Sequence, residues 1–422
     1  MSRDPVPDSH GAAAFDVLRW NHEDPVGPDG IAPLVSDTAV IGIGESAHFV
    51  AEFNDARARV VDQLAAAHGV TGIALEVGHD EAPAIQAWLR SDREEPLTEL
   101  VGPLTYAIYG SFLTELRRRL PSDHGLRVHG VDLPNSLTIE PSLSPLAAIV
   151  ADVDPAANEL VDDARRLAQN VIGASAAASA SAWMALDPST QDALTVALAR
   201  LQSRLDAIGG ARGTSSDADA WAKARRLADA AATTDLMLRA MADLFTGGGR
   251  VDDTTIRERY VASRILEAVD ELADGERIAY VAHNNHIQKA PVIFDGVLTA
   301  YPTGSFLATA LGRRYAAVAL THRDEHVPEM TYPATTEVGF HVERVAAASI
   351  DENAFEGAVQ GDALTHSAVI VRPAGPKTSD SVCATMRSQS ALTELPVSAF
   401  DAALVFATAT TDPVLAGLGL LA

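Results

Sequence analysis

Ionisable side chains directly follow two apolar segments near the start of this chain. Segment 38–44 (TAVIGIG) is followed by Glu45 and His48 in the motif GESAH, and segment 70–75 (VTGIAL) is followed by Glu76. Charged groups rarely end apolar strands by accident, because a charge without a partner loses its hydration there. A carboxylate that orients a histidine is an arrangement used in general-base catalysis, so this spacing predicts a site of proton transfer.

Two later segments carry similar groups at the same position. Segment 126–131 (LRVHGV) is followed by Asp132, and segment 277–282 (RIAYVA) is followed by His283 and His286 in AHNNH. Asp132 could equally cap the turn that follows it. The two histidines could begin a short helix, but a pair of imidazoles this close together favours a functional site.

Three chemistries could use these groups. In hydrolysis by a general base, Glu45 or Glu76 would orient His48. In zinc catalysis, the histidines and one glutamate would bind the metal, but the chain has no HExxH motif, and in GESAH the glutamate precedes the histidine. Serine catalysis is the weakest alternative, because no G-x-S-x-G turn follows a strand and Ser46 has no special feature. We therefore expect no metal and no cofactor.

Short β-branched segments predict an α/β fold in which helices flank a largely parallel sheet. We expect six strands, at 38–44, 70–75, 126–131, 277–282, 315–321 and 402–407. Ligands of such sheets bind beyond the carboxyl ends of the strands, which is where the ionisable residues stand. His322 ends the fifth segment, but charged residues follow it, and we expect it in solvent.

The middle of the chain, from about residue 155 to 272, is rich in Ala, Leu, Asp and Arg and has helical periodicity with almost no strand signal. We predict a helical bundle inserted into the α/β domain. The domain would comprise residues 1–150 and 273–422, and the bundle residues 151–272. We expect the bundle to form one wall of a substrate cleft.

Composition restricts the partners of the protein. The formal charge is −25, and such a surface repels nucleic acid and anionic lipid. A single cysteine, Cys383, provides neither a disulfide nor a cysteine-based metal site. The N-terminus lacks the pattern of a signal peptide, and no apolar run is long enough to span a bilayer. We therefore expect a soluble, cytoplasmic protein with a small-molecule partner.

The longest of these motifs resembles a known family. Segment 44–78, GESAHFVAEFNDARARVVDQLAAAHGVTGIALEVG, resembles the signature of erythromycin esterases, with a G-E-x-x-H turn, then E-F, an arginine and a later glutamate that ends a strand. AHNNHI resembles the H-N-x-H segment of that family. LRVHGVDL, TIRERYVASRI and FDAALVF resemble further family blocks in the same order, so the similarity extends from about residue 36 to 410.

The resemblance implies the opening of macrolide lactone rings by ester hydrolysis, without a required metal. It implies that His48 is the general base that activates water, and that Glu45 and Glu76 hold and polarise this histidine or the water. His283 and His286 would bind the carbonyl oxygen or protonate the leaving alkoxide.

The resemblance also implies roles for residues around this group. Arg57 would lie on the first helix near Glu76, to pair with it or to steady the oxyanion. We further expect Asp132 and Phe49 to contribute to substrate binding.

Three functions follow from these observations. The first is a hydrolase of a carboxylic ester or macrolactone in a bulky, macrolide-like natural product, in antibiotic resistance or natural-product tailoring. The second is a biosynthetic tailoring enzyme that uses the same His/Glu site for a cyclisation, elimination or isomerisation. The third is a non-catalytic protein that sequesters such a compound.

Overall fold

The computed structural model describes residues 15–19, 26–27, 30–91, 95–121, 123–171, 173–212, 217–247, 250, 253–294, 297–332, 334–359, 368–373 and 383–422. The strands in this part of the chain are β1 Phe15–Arg19, β2 Val40–Ile43, β3 Val70–Gly78, β4 Arg127–Asp132, β5 Arg277–Val281, β6 Val292–Phe294, β7 Val297–Ala300, β8 Tyr315–His322, β9 His326–Thr331, β10 His341–Ala346, β11 Ala368–Pro373, β12 Cys383–Ser388, β13 Ala391–Pro396 and β14 Ala402–Phe406. The helices are α1 Ala32–Val35, α2 Ala51–Ala67, α3 Ala82–Arg90, α4 Pro103–Arg119, α5 Glu140–Val153, α6 Asn158–Ala168, α7 Ala176–Met184, α8 Pro188–Arg212, α9 Ala218–Thr246, α10 Thr255–Asp270, α11 Asn284–Ile287, α12 Thr303–Leu311 and α13 Val414–Gly417.

An eight-stranded sheet organises the molecule, with the strand order β1-β11-β14-β8-β2-β5-β3-β4. The six strands from β14 to β4 are parallel. They are the six strands expected from the sequence, with ends shifted by up to three residues. The α/β fold with a largely parallel sheet is therefore confirmed.

Two antiparallel strands, β1 and β11, extend one edge of this sheet. The sequence analysis did not single them out, because each is a short strand whose pairing partner lies far away in the chain. Three further hairpins, β6–β7, β9–β10 and β12–β13, form separate two-stranded sheets. The last two hairpins reach the carboxyl ends of the parallel strands.

Helices cover both faces of the sheet, as the uninterrupted apolar character of the parallel strands requires. Alternate residues of β2 show this, since Val40 belongs to one core cluster whereas Ile41 and Ile43 belong to the other. Helices α2, α3 and α4 pack in the second cluster, and α5, α6 and α8 to α10 pack in the first.

Consecutive helices α5 to α10 separate β4 from β5. The helical segment expected from the sequence, about residues 155 to 272, holds α6 to α10, whereas α5 lies before it. Its division from the α/β part as a separate unit stays a prediction. Within the described ranges, no helix is both long enough and apolar enough to cross a membrane.

One expectation about exposure was wrong. His322 was expected in solvent, but its ring is fully buried. Strand β8 lies in the middle of the sheet, so its last residue is covered on both sides. The ring packs against Phe53, at 6.2 Å between ring centroids, and its Nδ1 lies 3.0 Å from Nη1 of Arg387.

Candidate active site

A cavity of about 300 Å³ lies beyond the carboxyl ends of the parallel strands. Five of its lining residues are histidine, acidic or arginine residues, and they come from five different elements: His48, Glu76, Asp132, Arg257 and His286. Four of the five were predicted from the sequence. Parallel strands bring these residues together because their carboxyl ends share one edge of the sheet.

The turn between β2 and α2 positions the first histidine. Nδ1 of His48 lies 2.8 Å from Oε1 of Glu45, whose side chain is fully buried. A carboxylate can only accept from Nδ1, so the proton resides on Nδ1 and Nε2 carries the lone pair. Nε2 forms no hydrogen bond with any residue that the structure describes, and the side chain retains 15% of its exposure at the cavity.

Arg57 supports Glu45 rather than Glu76. Its Nη2 lies 2.9 Å from Oε2 of Glu45 and donates to Oδ1 of Asn54, and the side chain is fully buried. The rings of Tyr109 and Phe112 lie 5.7 and 5.5 Å from the guanidinium carbon. The expected pairing with Glu76 was therefore wrong, because α2 directs Arg57 beneath the Glu45 turn and away from the cavity.

Close approach of two backbone segments fixes the AHNNH turn beside this histidine. The amide of Asn284 donates to the carbonyl of Glu45 at 2.8 Å. A Cβ atom on Gly44 would lie 1.9 Å from Oδ1 of Asn284, so only glycine allows α11 to approach the end of β2 this closely.

His283 is a neutral, structural histidine. Its Nε2 donates to the carbonyl of Ser46 at 3.1 Å, and its Nδ1 accepts from the amide of Asn285 at 3.1 Å. Burial and the nearby imidazoles of His48 and His286 hold its pKa well below the ordinary value. The ring is not among the residues that line the cavity, and its expected contact with substrate stays a prediction.

Glu76 accepts hydrogen bonds on both of its carboxylate oxygens. Oε1 accepts from Arg257 at 2.8 Å and from Nε2 of His286 at 2.9 Å, whereas Oε2 accepts from the amide of His283 at 3.1 Å. Burial opposes ionisation, but the charges of His286 and Arg257 outweigh it and hold the pKa of Glu76 well below its ordinary value. Glu76 is thus a fixed anion at the cavity surface.

His286 is held between two carboxylates. Its Nε2 faces Glu76, and its Nδ1 lies 2.7 Å from Oε1 of Glu258, so both nitrogens carry protons. Burial on its own would lower the pKa of His286, but Glu258 and Glu76 raise it to about 10. The ring is therefore an imidazolium at neutral pH. Glu258 is fixed in turn by the amide of Thr303 at 2.8 Å.

Arg257 completes the polar surface. Its Nε lies 2.9 Å from Oδ1 of Asp132, and its Nη2 donates to both Asp132 and Glu76. Burial opposes its charge, but Asp132 and Glu76 raise the pKa of Arg257 well above its ordinary value. Nη1 lies 3.5 Å from Nε2 of His286, which already carries a proton and cannot accept a hydrogen bond. The hydrogens on Nη1 therefore remain available to a ligand.

Asp132 caps a turn and also faces the cavity, and its part in substrate binding stays a prediction. It accepts from the amide of Leu133 at 2.7 Å, as the residue that caps a turn, and it also lines the cavity. Phe49 differs, since its ring is fully buried and packs against Phe340 at 6.2 Å between ring centroids. Phe340 lines the cavity and Phe49 does not, so Phe49 supports the wall without reaching a ligand.

The rest of the cavity wall is mainly apolar. This wall is formed by helices α4, α7 and α9, strand β9, the segments after β4 and β9, and the residue before β10. They contribute Leu104, Ile108, Leu133, Pro134, Leu137, Ala176, Ala177, Met237, Met241, Met330, Tyr332 and Phe340, with Asn135 and Ser175 between them. Methionine side chains adapt to irregular shapes, so three of them give this wall some freedom to fit a bulky ligand.

Arg257 and Glu258 were not singled out from the sequence. They lie in the first turn of α10, within the TIRERYVASRI block. The helical pattern alone predicts that the side chains at this end of the helix are exposed to solvent. The feature that could have identified them as site residues is an adjacent Arg and Glu in a block that resembles the family. Their partners lie 125 and 28 residues away in the chain, so only the fold reveals their position.

Within the described residues, no group of three or more His, Cys, Asp or Glu side chains is arranged to hold a metal ion. The geometry gives the reason: both nitrogens of His283 and of His286 are already occupied by backbone or carboxylate partners. Independence from metal stays a prediction.

Comparison with known proteins extends over most of the chain. The family model for erythromycin esterase matches residues 65–406. The chain is 33% identical over 390 residues to erythromycin esterase type I of Escherichia coli, which covers 92% of this chain and 94% of that protein. It is 26% identical over 362 residues to erythromycin esterase type II of the same organism, covering 84% of this chain and 86% of that one.

A solved structure agrees with these sequence relatives. A mutant erythromycin esterase in its open conformation superposes with a TM-score of 0.86 at 31% identity, covering 95% of this chain and 99% of the other. The chain has the parallel sheet and a cavity lined by His and Glu side chains, and these comparisons show that it belongs to the erythromycin esterase family of hydrolases.

Proposed function

We propose that the protein hydrolyses a carboxylic ester or macrolactone of a bulky, macrolide-like natural product, with His48 as the general base. One observation carries this proposal: His48 donates from Nδ1 to the buried Glu45 and presents Nε2 to the cavity. A base of this kind must be oriented and open to water, and the arrangement meets both requirements.

The charges around the cavity favour proton uptake by His48. Four carboxylates, Glu45, Glu76, Asp132 and Glu258, stand against three cations, Arg57, Arg257 and His286. The group is therefore short of one positive charge while His48 is neutral. A protonated His48 balances it, and this lowers the energy of the state in which water has lost its proton.

Arg257 and His286 supply positive charge where the carbonyl oxygen would become negative. Arg257 lines the cavity, and its Nη1 has no carboxylate partner among the described residues. Charged donors that are already fixed in place stabilise an oxyanion without reorganising during the reaction. We assign the oxyanion to Nη1 of Arg257, with His286 as a fixed charge that also orients Glu76.

The reaction then proceeds in two stages. Nε2 of His48 removes a proton from water while the oxygen attacks the ester carbonyl, which gives a tetrahedral oxyanion beside Arg257. The carbon–oxygen bond of the ester then breaks, and protonated His48 returns its proton to the leaving alkoxide. The products are an alcohol and a carboxylic acid, which releases its proton to water and becomes a carboxylate. In a macrolactone both remain on one opened chain.

The apolar wall indicates the class of substrate. Three methionines, two aromatic rings and several aliphatic side chains face the polar group across the cavity. This suits a large, mostly apolar molecule with one ester. Both sequence relatives are named erythromycin esterases, and by that likeness we propose a macrolide.

A mass measurement tests the proposal. Purified protein, treated with EDTA, is incubated with macrolides of different ring size and with simple aryl esters. We expect a product heavier than the macrolide by one water molecule, formed by the wild type and not by His48→Asn.

Other outcomes would separate the alternatives. Consumption of a macrolide without a gain of water would indicate a cyclisation, elimination or isomerisation at the same site. Tight binding without turnover, unchanged in His48→Asn, would indicate sequestration. Activity that EDTA abolishes and a metal restores would overturn the metal-independent mechanism.

A further inference from the structure

The tip of the β12–β13 hairpin contacts both histidine-bearing turns of the site. The last pair of this hairpin is Ser388 with Ala391, so Gln389 and Ser390 form a two-residue loop. The amide of Gln389 donates to the carbonyl of Ser46 at 2.6 Å, and its side-chain Oε1 accepts from the amide of His48 at 3.0 Å. One residue thus holds the GESAH turn through both its backbone and its side chain.

The last residue of β12, directly before this loop, also holds the AHNNH turn. Nδ2 of Asn285 donates to Oγ of Ser388 at 2.9 Å. The carbonyl of Ser46 accepts from Nε2 of His283 as well as from Gln389, so it joins the hairpin to both turns. The hairpin is therefore a clamp across the segment that carries the general base and the segment that carries His286.

Gln389 is anchored from its other side. Its Nε2 donates to Oε1 of Glu329 at 3.2 Å, and the amide of Ser390 donates to Oε2 of Glu329 at 3.0 Å. Glu329 belongs to β9, whose next residue, Met330, lines the cavity. Since both ends of the amide are bonded, the side chain of Gln389 has one preferred orientation, and this fixes its acceptor on His48.

The backbone of Gln389 suggests that the side chain is there for function. Its φ is +54°, in the left-handed region that favours glycine, and it is the first residue of a two-residue hairpin loop. Glycine would adopt this conformation more easily. Phe49, directly after His48, is also left-handed, with φ +66°. Strained residues of this kind, kept beside a candidate site, point to a functional constraint.

We propose that Gln389 is a positioning residue, which holds the backbone of His48 so that Nε2 meets the attacking water. It touches no reacting atom in this account. The proposal rests on the proposed function of His48, and it adds that the catalytic geometry depends on the β12–β13 hairpin, which lies more than 300 residues away in the chain.

Gln389→Gly separates positioning from folding. Glycine relieves the left-handed conformation but removes the acceptor for the amide of His48 and the donor to Glu329. The first effect raises stability and the second lowers it, so we expect thermal stability close to that of the wild type. We expect kcat to fall about tenfold to a hundredfold, the cost of a small misplacement of a catalytic group, with little change in KM. Hydrogen exchange of a peptide covering residues 44–50 should become faster, because the amide of His48 loses its acceptor.

The control is Glu394→Gln, on the exposed side of the same hairpin, for which we expect wild-type kinetics and exchange. Wild-type kcat and unchanged exchange in Gln389→Gly would overturn the clamp. Lower stability with a proportional loss of folded enzyme, and normal kcat per folded molecule, would show a structural role only. His48→Asn is measured in the same assays. If this variant retains activity, the assignment of His48 as the base is wrong. If His48→Asn is inactive and Gln389→Gly has normal kcat, only the proposed role of Gln389 is wrong.

Discussion

Three histidines of one site differ in charge because their partners differ. His48 faces one carboxylate and the cavity, His283 faces a carbonyl and an amide, and His286 faces two carboxylates. The first is therefore available as a base, the second is a neutral support, and the third is a fixed cation. Sequence alone gives the residue type, but these roles follow only from the neighbours of each ring nitrogen.

The charge of His286 predicts a dependence of stability on pH. Its pKa is raised from an ordinary 6.5 to about 10 in the folded protein. Its contribution to the free energy of unfolding is thus fully present below about pH 6.5, declines above that and is lost as the pH rises through about 10. We expect the difference in unfolding free energy between wild type and His286→Asn, measured in urea, to shrink between pH 7 and about 10. A difference that stays constant with pH would refute the charged state of this ring.

Glu76 organises three donors, and its charge should affect rate more than affinity. In Glu76→Gln the NH2 group would face either Arg257 and His286 or the backbone amide of His283, and all of these present only donors to it. We expect kcat to fall roughly tenfold to a hundredfold, with a smaller effect on KM. Arg127→Gln, at the exposed surface, is the control. An unchanged turnover number for Glu76→Gln would remove this residue from the mechanism.

At the scale of elements, the site is an assembly of turns that follow strands β2, β3, β4 and β5, closed by α10 and by the tip of the β12–β13 hairpin. The six parallel strands could be predicted because each is a continuous apolar run. The edge strands β1 and β11 could not, because pairing over a long separation decides them. For the same reason Arg257, Glu258 and Gln389 escaped the sequence analysis: their partners lie in distant segments.

The errors in the predictions from sequence concerned the direction in which an element places a side chain, and not the type of residue. Arg57 was expected beside Glu76, yet α2 carries it to Glu45. His283 was expected to contact substrate, which stays a prediction, and its position as the residue before α11 turns its ring to the carbonyl of Ser46. The side chain of a helix-start residue can point in several directions, and a linear pattern does not choose among them.

The contact between β2 and α11 can be tested with a single methyl group. Gly44→Ala would place Cβ 1.9 Å from Oδ1 of Asn284 and 2.8 Å from Cδ1 of Ile287, so these buried side chains of α11, the helix that carries His286, must move. We expect a loss of about 1–3 kcal/mol in the free energy of unfolding, as overpacking typically costs, together with lower kcat. Gly125→Ala is the control, because nothing lies within 4 Å of a Cβ atom there. Equal stability of the two variants would contradict the close approach.

At the scale of the whole molecule, the charge of −25 sets the long-range field around the cavity. This field attracts a cationic substrate, such as a compound that carries an amino sugar, and leaves a neutral ester unaffected. We expect kcat/KM for a cationic macrolide to fall as ionic strength rises from about 0.01 M to about 1 M, where the screening length shrinks from roughly 30 Å to 3 Å. An uncharged aryl ester is the control. Equal salt dependence for both substrates would show that steering plays no part.

In the proposed mechanism, Nε2 of His48 removes a proton from the attacking water. The most direct test of this step is the pH dependence of kcat/KM for the wild type and for His48→Asn, with one hydrolysed substrate and in the presence of EDTA. We expect the wild-type rate to fall on the acid side, as the imidazole gains a proton, and the variant to lose about a hundredfold to ten-thousandfold in rate together with that acid limb. A variant within twofold of the wild type, or one that keeps the same acid limb, would contradict the claim.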